Sequence, residues 1–285
     1  MADSLSDQLT QLQNSVKAKP ADDKLRVHLF QLYAQDGKWQ KALAQLQVAA
    51  QLNPGHNLLA QAYRLALRAE LLREDTFKGL RSPNLLGQPP QWTSYLIEAL
   101  QEDAKGNHEM SSELRSRALD AAPTASGDVD GKPFEWIADA DTRIGPVLEV
   151  FVNGDYYWLP FENISEINIE KPVDLRDLVW VPASVKLVNE GMHTMLLPVR
   201  YPLVDGTVED PHLQSRLTTW TQTAEDAWTG HGVKIFATNS HEYSILDIRQ
   251  IRLNAVSDSG SNQSTGDSNS DSNSDSTSHS ADADH

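Results

Sequence analysis

Along the first 123 residues the apolar side chains return every three or four positions, the spacing of a helix with one buried face. Beyond Pro123 they come instead in short runs rich in Val, Ile, Trp, Tyr and Phe, set between glycine-containing turns. The pattern predicts an α+β chain, helical first. The helical part has an internal period: read as a 34-residue helix–turn–helix unit of the tetratricopeptide type, Asp23 to Pro54 places Leu29 and Tyr33 on one helix and Gly37 at the turn. Trp39, Ala42, Leu46 and Ala49 then lie along the second helix, and Pro54 closes the unit. Small Ala42 and Ala49 let the helices approach, and Leu46 fills the groove between them. Pro20 and Leu12 precede Pro54 and Leu46 by one period, so residues 4–18 read as an earlier helix. Asn57 to Leu80 reads as a further helix and Trp92 to Pro123 as another pair, with a Pro/Gly-rich break at Ser82-Pro83 and Gly87-Gln88-Pro89-Pro90.

In the second half, turn signals stand at Gly127, Gly131, Asn153-Gly154, Glu190-Gly191 and Gly230–Gly232. The clearest hairpin runs from Pro146–Val152 through Asn153-Gly154 to Tyr156–Leu159, since Asn-Gly suits the two positive φ values of a type I′ turn. Further strands are expected at Ile164–Ile169, Leu178–Val188, Thr194–Arg200, Val233–Thr238 and Tyr243–Leu253. Pro160, Pro182 and Pro198 imply edge strands or bulges. The expected organisation is a TPR-like helical domain over residues 1–125, a small bent antiparallel β-sheet or open-barrel domain over 126–254, and a tail over 255–285. The tail is Ser, Asp, Asn and Gly, a composition that predicts disorder.

Charge sharpens this division. Asp and Glu number 40 against 24 Lys and Arg, a net of -16, but residues 1–127 balance at 14 of each. Residues 128–180 carry 12 acids and 4 bases, residues 181–254 carry 8 and 6, and the last segment carries 6 acids and no base. No segment offers the basic stripe that neutralises phosphates, which argues against nucleic acid or an anionic membrane surface as the partner. The opening Met1-Ala2-Asp3-Ser4-Leu5 has no basic n-region and no run approaches membrane-spanning length, so a cytoplasmic location is expected. The absence of cysteine removes disulfides, thiol nucleophiles and zinc ribbons.

Catalytic motifs are missing from the pattern: the nine histidines form no metal-binding pair, and no Gly-x-Ser-x-Gly, Gly-x-Gly-x-x-Gly or phosphate-binding loop occurs. No cofactor is expected. The densest polar string is Phe134-Glu135-Trp136-Ile137-Ala138-Asp139-Ala140-Asp141-Thr142-Arg143. Glu135, Asp139 and Asp141 around Arg143 suit a structural ion-pair network, an acidic docking patch with Trp136, or the carboxylates of a hydrolase or metal-dependent enzyme. A second cluster, Tyr156, Tyr157, Trp158 and Phe161 followed by Asp174, Arg176, Asp177 and Trp180, reads as sheet core with at least one ring turned outward.

The helical strings Phe30-Gln-Leu32 and Lys41 to Ala49, the string Asp130 to Glu149, and later Tyr156-Tyr-Trp-Leu-Pro-Phe161, Asp174-Leu-Arg-Asp-Leu-Val-Trp-Val-Pro182 and Leu246-Asp-Ile-Arg249 resemble the ImpE/TagJ family of type VI secretion accessory proteins over roughly residues 4–253. The resemblance implies a non-enzymatic cytoplasmic adaptor that binds the N-terminal helix of the small contractile-sheath subunit, with an indirect link to the sheath-recycling AAA+ ATPase. Two surfaces compete for the partner. One is the inner helix of the best repeat, Lys24, Val27, Gln31, Ala34 and Gln35, because helical repeats present concave faces to peptides. The other is the aromatic and acidic face of the sheet half, with Trp136, Asp139, Asp141, Arg143, Tyr157, Trp158, Asp177 and Trp180.

Overall fold

The computed structural model describes residues 4–188, 191–203 and 208–255. Six helices come first: α1 (Leu5–Ala18), α2 (Asp23–Gln35), α3 (Trp39–Leu52), α4 (Asn57–Phe77), α5 (Trp92–Ala104) and α6 (His108–Ala121). Ser4 and Asp22 start α1 and α2 by accepting the N–H of Asp7 and Leu25, which satisfies orphan donors of each first turn. α2 and α3 form an antiparallel hairpin, because Asp23 at the start of α2 is held at 2.7 Å by both Asn53 and His56 at the end of α3. Ala42, Leu46 and Ala49 are fully buried along it. The residues expected to allow close helix approach are therefore the ones at the contact.

The sheet half is larger than the small sheet expected. Its strands are β1 (Asn84–Leu85), β2 (Gly127–Val129), β3 (Lys132–Phe134), β4 (Ile137–Asp139), β5 (Val147–Val152), β6 (Asp155–Pro160), β7 (Ile164–Ile169), β8 (Trp180–Leu187), β9 (Met192–Pro198), β10 (Thr218–Ala224), β11 (Ala227–Gly232), β12 (Ile235–Thr238), β13 (Glu242–Ser244) and β14 (Gln250–Leu253), with a short helix α7 (Asp210–Leu213) before β10. Nine strands run in the order β1-β6-β5-β9-β8-β7-β14-β2-β3, three more in the order β13-β12-β4, and β10 and β11 make a separate hairpin. All pairs are antiparallel except β1 on β6. The proline-rich break between α4 and α5 thus does more than end the helices: Asn84 and Leu85 pair with Tyr157 and Trp158 and tie the helical half to the sheet.

Several local expectations change. Asn153 (φ 52) and Gly154 (φ 86) make the expected primed turn between β5 and β6. Pro182, in contrast, sits in β8, a strand paired on both sides. It is tolerated because the β7 ladder ends at Ile169↔Ala183, and beyond that point the Pro182 carbonyl takes the N–H of Glu170. The stretch Tyr243–Leu253 splits into β13 and β14, and Gly230 and Gly232 lie within β11 rather than in a turn. A Cβ at Gly230 would come within 2.3 Å of the Tyr201 ring, so glycine there allows close approach instead of reversal. The expected turn at Glu190 and the tail beyond Ala255 lie outside the described residues.

Alternation within the strands separates two cores. From β5 and β6, Val147, Phe151, Tyr156 and Trp158 join Phe30, Tyr63, Leu67 and Leu96 in one cluster between sheet and helices. Leu148, Val150 and Leu159 join Val129, Ile167, Val185, Phe236 and Ile251 in another on the opposite face. That second cluster draws on strands from both ends of the nine-strand order, so the sheet curls around it.

Candidate functional site

Charged residues cross the boundary between the two halves. On α4, Glu70 and Arg73 occupy buried positions one turn apart. Arg73 Nε and Nη2 donate to the two oxygens of Glu149 on β5 at 2.7 and 3.0 Å, and its Nη1 donates to Glu70 at 3.0 Å. Trp180 Nε1 donates to the other Glu70 oxygen at 2.8 Å, and Tyr156 donates its hydroxyl to Glu149 at 2.6 Å. Lys234 then bridges Glu149, at 2.7 Å, and Asp139. Burial alone would raise the Glu149 carboxyl, but Arg73 and Lys234 outweigh it and hold the group well below the usual carboxylate range. Asp139 has the opposite balance: burial pushes it up to about 6, against the pull of Lys234.

The Asp139–Arg143 string forms a turn fastened from within. Asp139 accepts the Tyr201 hydroxyl at 3.0 Å and the Asp141 N–H at 2.9 Å. Asp141 takes Arg143 Nη2 at 2.6 Å and the Gly230 N–H at 2.9 Å, while the Arg143 guanidinium lies 4.9 Å from the Phe77 ring centre on α4. Both carboxylates are buried, whereas Glu135 is exposed and not drawn into this turn. Among the described residues, no three His, Asp or Glu side chains are arranged to hold a metal ion.

Arg200 fixes α2 itself. Its guanidinium donates to the carbonyl oxygens of Gln35 (2.6 Å), Ala34 (3.2 Å) and Leu213, and burial lowers its pKa to about 10. This contact divides the α2 stripe anticipated for a partner. Ala34 and Gln35 are buried beneath Arg200, while Lys24, Val27 and His28, with buried Gln31 at the floor, line an open groove of about 460 Å³ at helical positions i, i+3, i+4 and i+7. The facing wall is the segment Pro172–Leu175 with Leu178. Asp177 shapes that wall, its carboxylate accepting the N–H groups of Val173 and Asp174 at 2.9 Å each. Val173 is 88% exposed at the rim.

Val27 and Gln31 therefore line a groove with the loop shaped by Asp177, and no residue of the second surface lines it directly. Trp158 and Trp180 have no exposed surface and belong to the core between helices and sheet; Asp139 and Asp141 are buried in the turn. Tyr157 turns to the opposite sheet face, and Trp136 keeps 40% of its surface exposed between β3 and β4. The interlocking charges Glu70, Arg73, Glu149, Arg200 and Lys234 were not singled out by motif. A signal existed in Glu149, the one acid inside Val147-Leu-Glu-Val-Phe-Val152, a run otherwise wholly apolar.

Comparison with known proteins decides the relationship. Residues 131–252 match a family model described as ImpE protein. Over 247 residues the chain is 42% identical to a Pseudomonas aeruginosa protein named type VI secretion system accessory component TagJ, covering 87% of this chain and 86% of that one. The chain belongs to the ImpE/TagJ family. A crystal structure of a Vibrio parahaemolyticus protein shares the fold, with a TM-score of 0.81 at 24% identity over 87% of this chain and 93% of that one. The ImpE-matching span contains Asp139, Glu149, Arg200 and Lys234, while Glu70, Arg73 and the open α2 stripe precede it. Among the described residues, no helix is long and apolar enough to cross a membrane.

Proposed function

We propose that this protein is a non-catalytic accessory component of a type VI secretion system, working in the cytoplasm, and that it holds the N-terminal helix of the small contractile-sheath subunit in the α2 groove. The helical half, residues 1–125, supplies one wall and the sheet half, residues 126–254, the other. The observation that carries the reading is the groove in which Lys24, Val27 and His28, with buried Gln31 at the floor, face Val173 and Leu175, because a helix docks by laying an apolar stripe into such a trough. Arg200 fixes the α2 wall and the Asp177 carboxylate fixes the facing loop, so little ordering cost falls on binding. Any influence on the recycling ATPase would pass through the captured sheath subunit.

Family membership supports the accessory role, since the Pseudomonas aeruginosa relative bears that name. The alternative of a hydrolase built on Glu135, Asp139 and Asp141 gains nothing from the geometry: both buried carboxylates are engaged by Lys234, Tyr201, Arg143 and Gly230. Isothermal titration with a peptide of the sheath subunit's N-terminal helix tests the proposal. Saturable heat that Val173→Asp removes is the expected result; no heat with folded protein would sink it.

A further inference from the structure

The α2 groove carries a charge without a partner. Lys24 is exposed in the first turn of α2, on one helix face with Val27 and His28, and among the described residues no carboxylate pairs with it. The nearby acids are engaged elsewhere. Asp22 accepts the Leu25 N–H, and Asp23 is held at 2.7 Å by both Asn53 and His56. On the facing wall Asp174 pairs with Arg176 at 2.5 Å, and Asp177 accepts the N–H groups of Val173 and Asp174. Glu170 and Lys171, which precede that wall, cancel in sum. In a chain with a net charge of -16, the one unpaired Lys, Arg, Asp or Glu among the residues lining this groove is therefore a lysine.

The helix dipole argues against a cation there: the first turn carries its positive end, where a carboxylate is favoured. Resting on the reading that a helix docks in this groove, we propose that Lys24 selects the partner by pairing with an Asp or Glu at the edge of the docked helix's apolar stripe. Val27, Val173, Leu175 and Leu178 accept the apolar stripe of any amphipathic helix, so they supply affinity with little discrimination. A helix with a cation at that edge meets Lys24 with like charge. With Asp174 and Asp177 already engaged, it finds no carboxylate in exchange. A carboxylate at that edge gains an ion pair at the rim, which steers the encounter and fixes register. Because Lys24 is the first of the α2 residues along the groove, the pair also sets which way the docked helix lies.

Titration calorimetry of the full chain with a peptide of the sheath subunit's N-terminal helix, at low and at high salt, tests this. Binding to the parent should weaken as salt is added. Lys24→Glu, which turns attraction into repulsion, should weaken it at low salt by at least about five-fold, and Lys24→Met should fall between. Neither should lower the melting temperature, since Lys24 holds no partner in the free protein. In a peptide series with each Asp and Glu changed in turn to Lys, one member should bind the parent weakly and recover its affinity with Lys24→Glu. Equal affinity of parent and Lys24→Glu overturns the proposal, as does a series in which no charge swap restores binding; if Val173→Asp still abolishes binding, the groove reading stands without it. A folded parent that binds no peptide overturns both.

Discussion

Arg200 donates to the carbonyl oxygen of Gln35 at 2.6 Å, so a cation next to β9 closes the last turn of α2. The final carbonyls of a helix lack intrahelical partners and carry the negative end of its dipole, which makes a buried guanidinium favourable there despite its desolvation. The link ties the end of α2 to β9 and to Leu213 of α7.

Arg200→Met should lower the unfolding free energy by about 2–4 kcal/mol in urea titration: it strands the Gln35 and Leu213 carbonyls, whose hydrogen bonds to a charged donor are each worth about 1.5–3 kcal/mol, while Ala34 keeps the Gly37 N–H, and the loss is partly offset by the ion no longer buried. Arg200→Lys should fall between, because an ammonium cannot span the forked set of acceptors. A loss below about 0.5 kcal/mol for Met would mean that the apolar contacts alone position α2.

Glu149 holds two cations, and the consequence is non-additive. Glu149→Leu leaves Arg73 and Lys234 buried against an apolar group, and a loss of about 3–5 kcal/mol is expected. Adding Arg73→Met and Lys234→Met should recover part of that loss, because a well-packed apolar replacement no longer strands an ion. Denaturation of the single and triple variants checks it; a triple variant less stable than the single would show that the network supplies more than charge balance.

Asp139 and Glu149 share Lys234 but titrate in opposite senses. The Asp139 carboxyl is raised from 3.8 to about 6, so the folded protein holds a proton that the unfolded chain releases between about pH 4 and 6. Its contribution is fully present below pH 4 and declines as the pH rises through that window, by on the order of 2–3 kcal/mol. Glu149 is depressed, so its contribution is present above about pH 4.5 and is lost as the pH falls below it. Relative to the parent, Asp139→Asn should therefore gain stability steadily from pH 4 to 6 and stay level above. Parallel stability curves across that window would show that Asp139 keeps an ordinary carboxylate pKa.

Much of the fold was legible because local and long-range requirements agreed. The 34-residue period found α2 and α3, and Asn153-Gly154 fixed the β5–β6 hairpin. What escaped were features made by partners distant in sequence. Thr-rich β10 has no apolar alternation to betray it, β1 is two residues whose strand character comes from Tyr157 and Trp158, and Gly230 looks like a turn until Tyr201 is placed over it. The groove was half legible for the same reason: helical spacing marks Val27, Gln31 and Ala34 alike, and only Arg200, 166 residues beyond Ala34, decides that the last of these is closed.

The groove itself gives the sharpest functional prediction. Val173 is 88% exposed and Val27 is half-buried, so neither holds the core, and Val173→Asp or Val27→Asp should leave the melting temperature nearly unchanged. If a helix lays its apolar stripe between them, each valine is buried on binding, and full burial of such a side chain is worth about 1.5–3 kcal/mol. A carboxylate in its place loses that gain and must be desolvated, so affinity for the sheath-subunit helix should fall by at least about ten-fold, equivalent to about 1.4 kcal/mol. Trp136→Ala, on the exposed turn between β3 and β4, is the comparison: if Trp136→Ala weakens binding and the two valine variants do not, the partner sits on the acidic sheet face. Titration calorimetry on the three folded variants separates the two surfaces in one experiment, because each surface is struck by a change the other does not feel.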